Sequence, residues 1–191
     1  MNFMAFQLTQ QQRNFFDVFG YLKVPKLFSN ESQLFQQLFD EIYQAERAID
    51  WQHEAHYNKS RLIVFNFLEK HPALRQLITH ENIQALFSPF LGENYTYMAS
   101  EGNIFNGDTY WHSDIYGCHF KYRYMKALFY LDTLKADTGA LCVIPGSHLF
   151  GDQFANKLEG RVWQHEKHLG ITKEEVPHVA IETEPGDVII F

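Results

Sequence analysis

The stretch DTGALCVIPGSH, residues 137–148, runs from a Thr-Gly turn into an apolar β-prone segment, Ala140 to Ile144, and stops sharply at Pro145-Gly146. Two segments of the same character flank it. YRYMKALFYLD (122–132) is apolar and β-rich, and HVAIETEPGDVIIF (178–191) splits into two strands around Pro185-Gly186-Asp187. Upstream, NYTYMAS (94–100) alternates as a half-buried strand does. From Glu93 onward the chain therefore reads as a sheet. Between strands, residues 149–177 (LFGDQFANKLEGRVWQHEKHLGITKEEVP) are polar and mixed, the signature of a long excursion.

The first half has a different period. TQQQ from Thr9 has the capping-box form, apolar Phe15, Phe16, Val18 and Phe19 follow it, and Gly20 stops the helix. A short strand, YLKV (21–24), and Pro25 lead into SNESQLFQQLFDEIYQAERAI (29–49). There Leu34, Phe35, Leu38, Phe39, Ile42 and Tyr43 fall at helical spacing behind Ser29 as N-cap. RLIVFNFL (61–68) reads as a strand, and residues 73–91 read as a helix broken near His80 to Asn82. Helices first and strands afterwards exclude a regularly alternating parallel sheet. They indicate α+β or a helix-decorated antiparallel barrel in a single domain, 1–191, with a mostly helical part over 1–92 and a sheet core over 93–191.

Composition narrows the classes of function. The 191 residues are 46% hydrophobic and 20% charged, a soluble globular profile. With 16 Lys and Arg against 23 Asp and Glu, the formal charge of −7 speaks against a nucleic-acid partner. Apolar runs are far shorter than the roughly 20 residues of a membrane span. The opening MNFMAFQLTQ has no export signal, so a membrane partner is not expected. Two cysteines, Cys118 and Cys142, make neither a disulfide framework nor a zinc site, which points to a reducing, cytoplasmic compartment. Aromatic content of 16% requires a large aromatic core or a ring-lined pocket.

The sharpest chemical constellation is Tyr110-Trp111-His112-Ser113-Asp114. If this segment ends a strand, His112 and Asp114, two apart, share a face. An imidazole and a carboxylate on one face supply two thirds of the two-histidine, one-carboxylate triad that holds Fe(II) with open positions. The spacing alone is weak, since a solvated turn His and Asp is the commoner explanation of it. The other paired histidines, His53 and His56 in WQHEAH and His165 and His168 in WQHEKH, miss the HExxH spacing and read as solvated helix faces. His119 and His178 are further candidates that no pattern distinguishes. Lys121, Arg123 and Lys126 read as a solvated strand face, not as a basic pocket for CoA phosphates.

Taken in order, GYLKVPKLFS (20–29), WHSD, an apolar strand ending in Asp132, DTGALCVIPGSH and EPGDVIIF make a more specific set. With these segments the chain resembles, over about Phe15 to Phe191, the phytanoyl-CoA dioxygenase family of Fe(II)- and 2-oxoglutarate-dependent oxygenases. The resemblance implies a mainly β fold with N-terminal helices, a double-stranded β-helix or jelly roll of the cupin-like kind. It matches His112 and Asp114 to the first two iron ligands and implies Fe(II) and 2-oxoglutarate as cofactor and cosubstrate. A small-molecule substrate and O2 are the partners it implies, with succinate and CO2 as co-products of a hydroxylation. The carboxylate at Asp114 speaks for hydroxylation over halogenation, because halogenating members of the wider superfamily have a small residue there.

By the same resemblance Asn103 stands where a polar contact to the oxoglutarate is expected, and Leu128 lies on the strand that lines the cosubstrate pocket. Plain core packing competes for Leu128. Trp111 and Tyr116 flank the metal motif as candidate walls of the substrate pocket, with burial in the barrel as the competing role. His148 is expected to hold its turn by hydrogen bonds. Relatives supply their second iron-binding His, and then an Arg for the distal carboxylate of 2-oxoglutarate, after the PGDVIIF strand. Both groups, with the closing C-terminal strands, are therefore expected beyond Phe191 in a longer polypeptide. The competing expectations are a non-catalytic jelly-roll binding module and a cupin-type iron enzyme indifferent to oxoglutarate.

Overall fold

A computed structural model describes residues 6–46, 48–52, 60–107, 109, 111–114, 123–150, 154 and 170–191. Helix α1 (Gln10–Phe19) begins as its sequence dictates: the Thr9 hydroxyl accepts from the Gln12 backbone N–H (3.2 Å) and the Gln12 side chain accepts from the Thr9 N–H (2.9 Å). It ends at Gly20, whose φ of 77° is the left-handed conformation that glycine adopts without a Cβ penalty. Strand β1 (Leu22–Val24) follows, then α2 (Ser32–Ala45), which turns Phe35, Leu38 and Ile42 into the core. Strands β2 (Ile49–Gln52) and β3 (Ser60–Phe65) precede α3 (Pro72–Arg75), a 3-10 turn over Gln76–Thr79 and α4 (Glu81–Leu91). His80 is the N-cap of α4, its ring accepting from the Asn82 N–H, which accounts for the helix break read there.

The second half supplies β4 (Glu101–Phe105), β5 (Ala127–Phe129), β6 (Leu141–Val143), β7 (Val179–Ile181) and β8 (Val188–Ile190). All described strand pairings are antiparallel, in three sheets of order β1-β8-β5, β2-β3-β4 and β6-β7. Among the described residues they do not close into a barrel. GDVIIF, read as a strand from its sequence, forms the middle strand of its sheet, with Val188, Ile189 and Ile190 fully buried between β1 and β5. The apolar run requires this place, since only a central strand covers both faces and both edges.

Each three-stranded sheet has two distinct faces. Val64, Val188 and Ile190 join the helical side chains in one core, against which Ala127 and Phe129 pack. By strand alternation Ile63 with its partner Asn103, and Ile189 with its partner Leu128, lie on the opposite faces, away from that helical core. The candidate site belongs to this second side.

Two expectations, one in each half, need correction. Ser29 is not the N-cap of α2, because the helix starts at Ser32 behind Glu31, which makes no side-chain cap bond. Ser29 is occupied by a close approach: a Cβ on Gly186 would lie 2.6 Å from Ser29 Cα and 2.7 Å from its nitrogen, and the Phe28 N–H donates to the Gly186 carbonyl (3.0 Å). With φ at +90°, position 186 demands glycine on both counts. The alternating 94–100 segment is likewise no strand among the described pairings. Tyr97 and Ser100 instead donate to the two oxygens of Glu69 (2.9 and 3.0 Å). Burial would raise the Glu69 pKa, but these bonds outweigh it and hold the carboxyl below its ordinary value.

Helix α2 is tied to the second sheet by Tyr43, whose hydroxyl reaches the carbonyls of Leu62 (2.9 Å) and Gly102 (2.6 Å) on β3 and β4. Burial pushes its pKa up to about 12, so it stays a donor throughout the physiological range. Tyr43→Phe is expected to lower the free energy of unfolding by about 1 kcal/mol, the usual net value of one such bond. Urea unfolding is the check, and an unchanged midpoint would show that Leu62 and Gly102 find another donor.

Candidate metal centre

His112 and Asp114 lie in an irregular segment seven residues beyond the end of β4. The strand geometry expected to bring them together is therefore not what does so. Their side chains nevertheless converge, with His112 Nε2 3.8 Å from Asp114 Oδ1 and both partly exposed. Metal–ligand bonds of about 2.0–2.2 Å let two donors share one ion only within about 4.2 Å of each other. The pair meets that limit, and an imidazole with a carboxylate suits a first-row divalent ion. No group of three or more His, Cys, Asp or Glu able to hold a metal occurs among the described residues.

A third group completes the arrangement. Lys126 Nζ lies 2.8 Å from the same Asp114 oxygen. Its backbone continues the β5–β8 ladder, donating to and accepting from Phe191 (2.8 and 3.1 Å). Lys126 was read from sequence as part of a solvated face together with Lys121 and Arg123. Both described members are exposed, as that reading has it, but each also has a defined contact: Arg123 donates to the Phe90 carbonyl (3.3 Å) and Lys126 meets Asp114. Only a long-range contact reveals this role, and no local pattern signals it.

Asn103 sits at the centre of β4 opposite Ile63, and its Oδ1 is buried without a hydrogen-bond partner among the described residues. An orphaned buried amide costs roughly 1–3 kcal/mol, so a bound molecule with matching polar atoms stabilises it. Leu128 lies opposite Ile189 on the face away from the helices, outside the helical core. Trp111 is fixed from a different direction: its indole N–H donates to the Lys173 carbonyl (3.0 Å) and its ring packs 5.3 Å from that of His178. His178 also bonds the Val176 carbonyl through Nδ1 (2.6 Å). Segment 170–178 is thereby clamped beside the His-Ser-Asp motif.

His148 behaves as a turn histidine. Its Nε2 meets the Asp17 carbonyl (3.1 Å), the Gly146 N–H donates to Phe19 (2.9 Å), and its ring fills the space that a Cβ on Gly20 would need. The 137–148 stretch thus docks on the C-terminus of α1 and takes no part in the His112–Asp114 pair. Tyr116, Cys118, His119 and Lys121, and the pairs His53/His56 and His165/His168, lie outside the described residues. No described helix is long and apolar enough to cross a membrane.

Comparison with known proteins agrees with this architecture. No curated protein matches the sequence. Among solved structures, the non-heme α-ketoglutarate-dependent carbocyclase SnoK from nogalamycin biosynthesis superposes with a TM-score of 0.73 at 20% identity, over 96% of this chain and 74% of SnoK. HygX from Streptomyces hygroscopicus, solved with nickel and 2-oxoglutarate, gives 0.69 at 18% identity, over 96% of this chain and 77% of HygX. EctD from S. alaskensis, solved with 2-oxoglutarate and 5-hydroxyectoine, gives 0.69 at 22% identity, over 96% of this chain and 67% of EctD. The fold is that of the jelly-roll oxygenases, decorated by N-terminal helices. The profile of the phytanoyl-CoA dioxygenase (PhyH) family matches residues 16–191, and the chain belongs to that family.

Proposed function

We propose that this protein is an Fe(II)- and 2-oxoglutarate-dependent oxygenase that hydroxylates a small organic substrate, with His112 and Asp114 as two of the iron ligands. The observation that carries the reading is the convergence of His112 Nε2 and Asp114 Oδ1 to 3.8 Å within a PhyH-family chain. Iron and 2-oxoglutarate, when bound, supply an oxidation driven by decarboxylation of the oxo acid, with O2 consumed and succinate and CO2 released. The residues of this chain have simpler duties. His112 offers an imidazole nitrogen and Asp114 a carboxylate oxygen, and two protein donors leave further positions of an octahedral ion for other ligands.

Asn103 is assigned to the oxoglutarate. Its terminal amide has a donor and an acceptor end, and rotation presents the NH2 to a carboxylate or the oxygen to a hydroxyl. Trp111 and Tyr116 are assigned to the wall of the substrate pocket, Trp111 being held against segment 170–178 by its indole bond and by His178. Such a wall limits water near the metal until substrate is in place. Residues 1–191 belong to one oxygenase domain in this reading, and the substrate is a small molecule, in keeping with the small molecules bound in HygX solved with hygromycin B and in EctD solved with 5-hydroxyectoine.

The test is anaerobic loading with Fe(II) and 2-oxoglutarate followed by O2, with succinate measured. Succinate formed only when iron and oxo acid are both present supports the reading. Oxygen uptake indifferent to added oxoglutarate replaces it with a cupin-type iron enzyme. No metal-dependent reaction together with retained small-molecule binding makes the protein a binding module.

A further inference from the structure

Lys126 is the one cation the described structure places on a residue of the candidate iron site, and its arrangement is unusual for a surface lysine. Its backbone is pinned by two hydrogen bonds to Phe191, so the Cα position is set by the most buried strand of the fold. Its side chain is half-exposed and ends 2.8 Å from Asp114 Oδ1, the oxygen that also faces His112. A fixed base and a mobile tip suit a group that must move. A divalent ion held by His112 and Asp114 would draw on this same oxygen, and its charge would repel the ammonium.

We propose that Lys126 is a positioning residue with two successive partners. Without metal it holds the Asp114 carboxylate in place. Once a divalent ion has taken that oxygen, it turns to the carboxylate of the oxo acid bound at the metal. The inference rests on the assignment of Asp114 as a metal ligand and deepens it. Among the described residues the charge balance favours the second partner: a divalent ion, one aspartate and a dianionic oxo acid together carry one net negative charge, which one ammonium neutralises. By strand alternation Lys126 shares its face with Leu128 and Tyr130, so the ammonium rises beside a largely apolar wall where a charge pair is screened less than in open solvent. No covalent step is involved.

The consequence has opposite signs for the two ligands. Removing the ammonium removes a competitor of the metal and a partner of the anion. In Lys126→Met, Ni(II) alone is expected to bind about three- to tenfold more tightly than in the wild type, as fits loss of a modest ion pair and of cation–cation repulsion. The factor by which 2-oxoglutarate tightens Ni(II) binding is expected to fall by a similar amount. Lys126→Arg is expected to restore both values.

Isothermal titration of the full chain with Ni(II), with and without 2-oxoglutarate and in the absence of O2, reads both quantities without any turnover. Asp114→Ala separates the possible failures. If it binds Ni(II) as the wild type does, or if the wild type binds none, the metal-ligand assignment fails and this inference with it. If Asp114→Ala loses Ni(II) but Lys126→Met matches the wild type in both titrations, or binds the bare ion more weakly, the role of Lys126 alone is overturned.

Discussion

Asp114→Ala and His112→Ala are each expected to abolish Fe(II)-dependent conversion of 2-oxoglutarate to succinate while leaving the unfolding transition close to that of the wild type. Stability and function separate here because both side chains are partly exposed, 38% for His112 and 26% for Asp114. The Asp114–Lys126 pair is also half in solvent, and such ion pairs contribute about 0–1 kcal/mol. Metal binding has no such tolerance. Loss of a group that merely orients a ligand lowers affinity or activity roughly 10–100-fold, and loss of the ligand itself removes one of the few bonds that hold the ion. Succinate formation and urea midpoints measured on the same preparations test this. A variant that keeps more than about a tenth of wild-type turnover takes its residue out of the site. One that loses turnover only because it unfolds shows a structural role instead.

The second large effect is expected at Asp187, the buried carboxylate that closes the turn between β7 and β8. It is 2% exposed and accepts from the Lys26 N–H (2.8 Å) and the Glu184 N–H (2.9 Å), with the Lys23 ammonium 2.8 Å away. Burial by itself would raise its pKa. The Lys23 bond and the two backbone donors overcome that and hold the carboxyl below the ordinary aspartate range. Asp187→Ala removes an acceptor from three donors at once. Breaking a buried pair costs about 3–5 kcal/mol, and the partial exposure of Lys23 places this case near the lower end. That is a large share of the roughly 5–15 kcal/mol that holds a typical domain folded.

Its sign with pH follows from the depressed pKa. The stabilisation is fully present above the unfolded aspartate pKa of about 3.9 and is lost as pH falls through the lower folded value. The wild type is therefore expected to lose stability below about pH 4, with a steeper acid limb than Asp187→Asn, which cannot titrate there. Parallel acid limbs in the two proteins would assign the acid sensitivity to other carboxylates. The turn matters for the site because the same ladder carries Gly186 against Ser29 on one side and Lys126 against Phe191 on the other.

Some of the fold was legible because its causes are local. Thr9 and Gln12 cap α1 through bonds three residues apart, Gly20 ends it through its own φ, and the His80 break follows from its ring reaching Asn82. The phytanoyl-CoA dioxygenase resemblance was legible for a related reason. HxD, PGSH and PGD are short segments read from residue type and order alone, and the family profile matches residues 16–191 although identity to the solved relatives named above is only 18–22%. Where local signals had a nonlocal competitor, they misled. Ser29 is a good N-cap by type, but Gly186 packs against it from a distant turn. The alternation of 94–100 suits a strand, yet Glu69 draws Tyr97 and Ser100 to itself.

The sequence by itself determined the helical first half, the strand-rich second half, the family and the identity of the two candidate ligands. Each is carried by residue type and short spacing, and neither changes when the chain folds. The tertiary structure decided what surrounds those ligands. Residues 112–114 are not a strand, and their convergence depends on the chain path beyond β4. Asp114 meets Lys126 because β5 pairs with β8, a contact between segments about 60 residues apart in the chain. Asn103 becomes an orphaned amide only because β3 and β4 bury it opposite Ile63. Contacts of this kind arise when loop-closure entropy has been overcome by burial of β8 and its neighbours, and no short window of sequence records that balance.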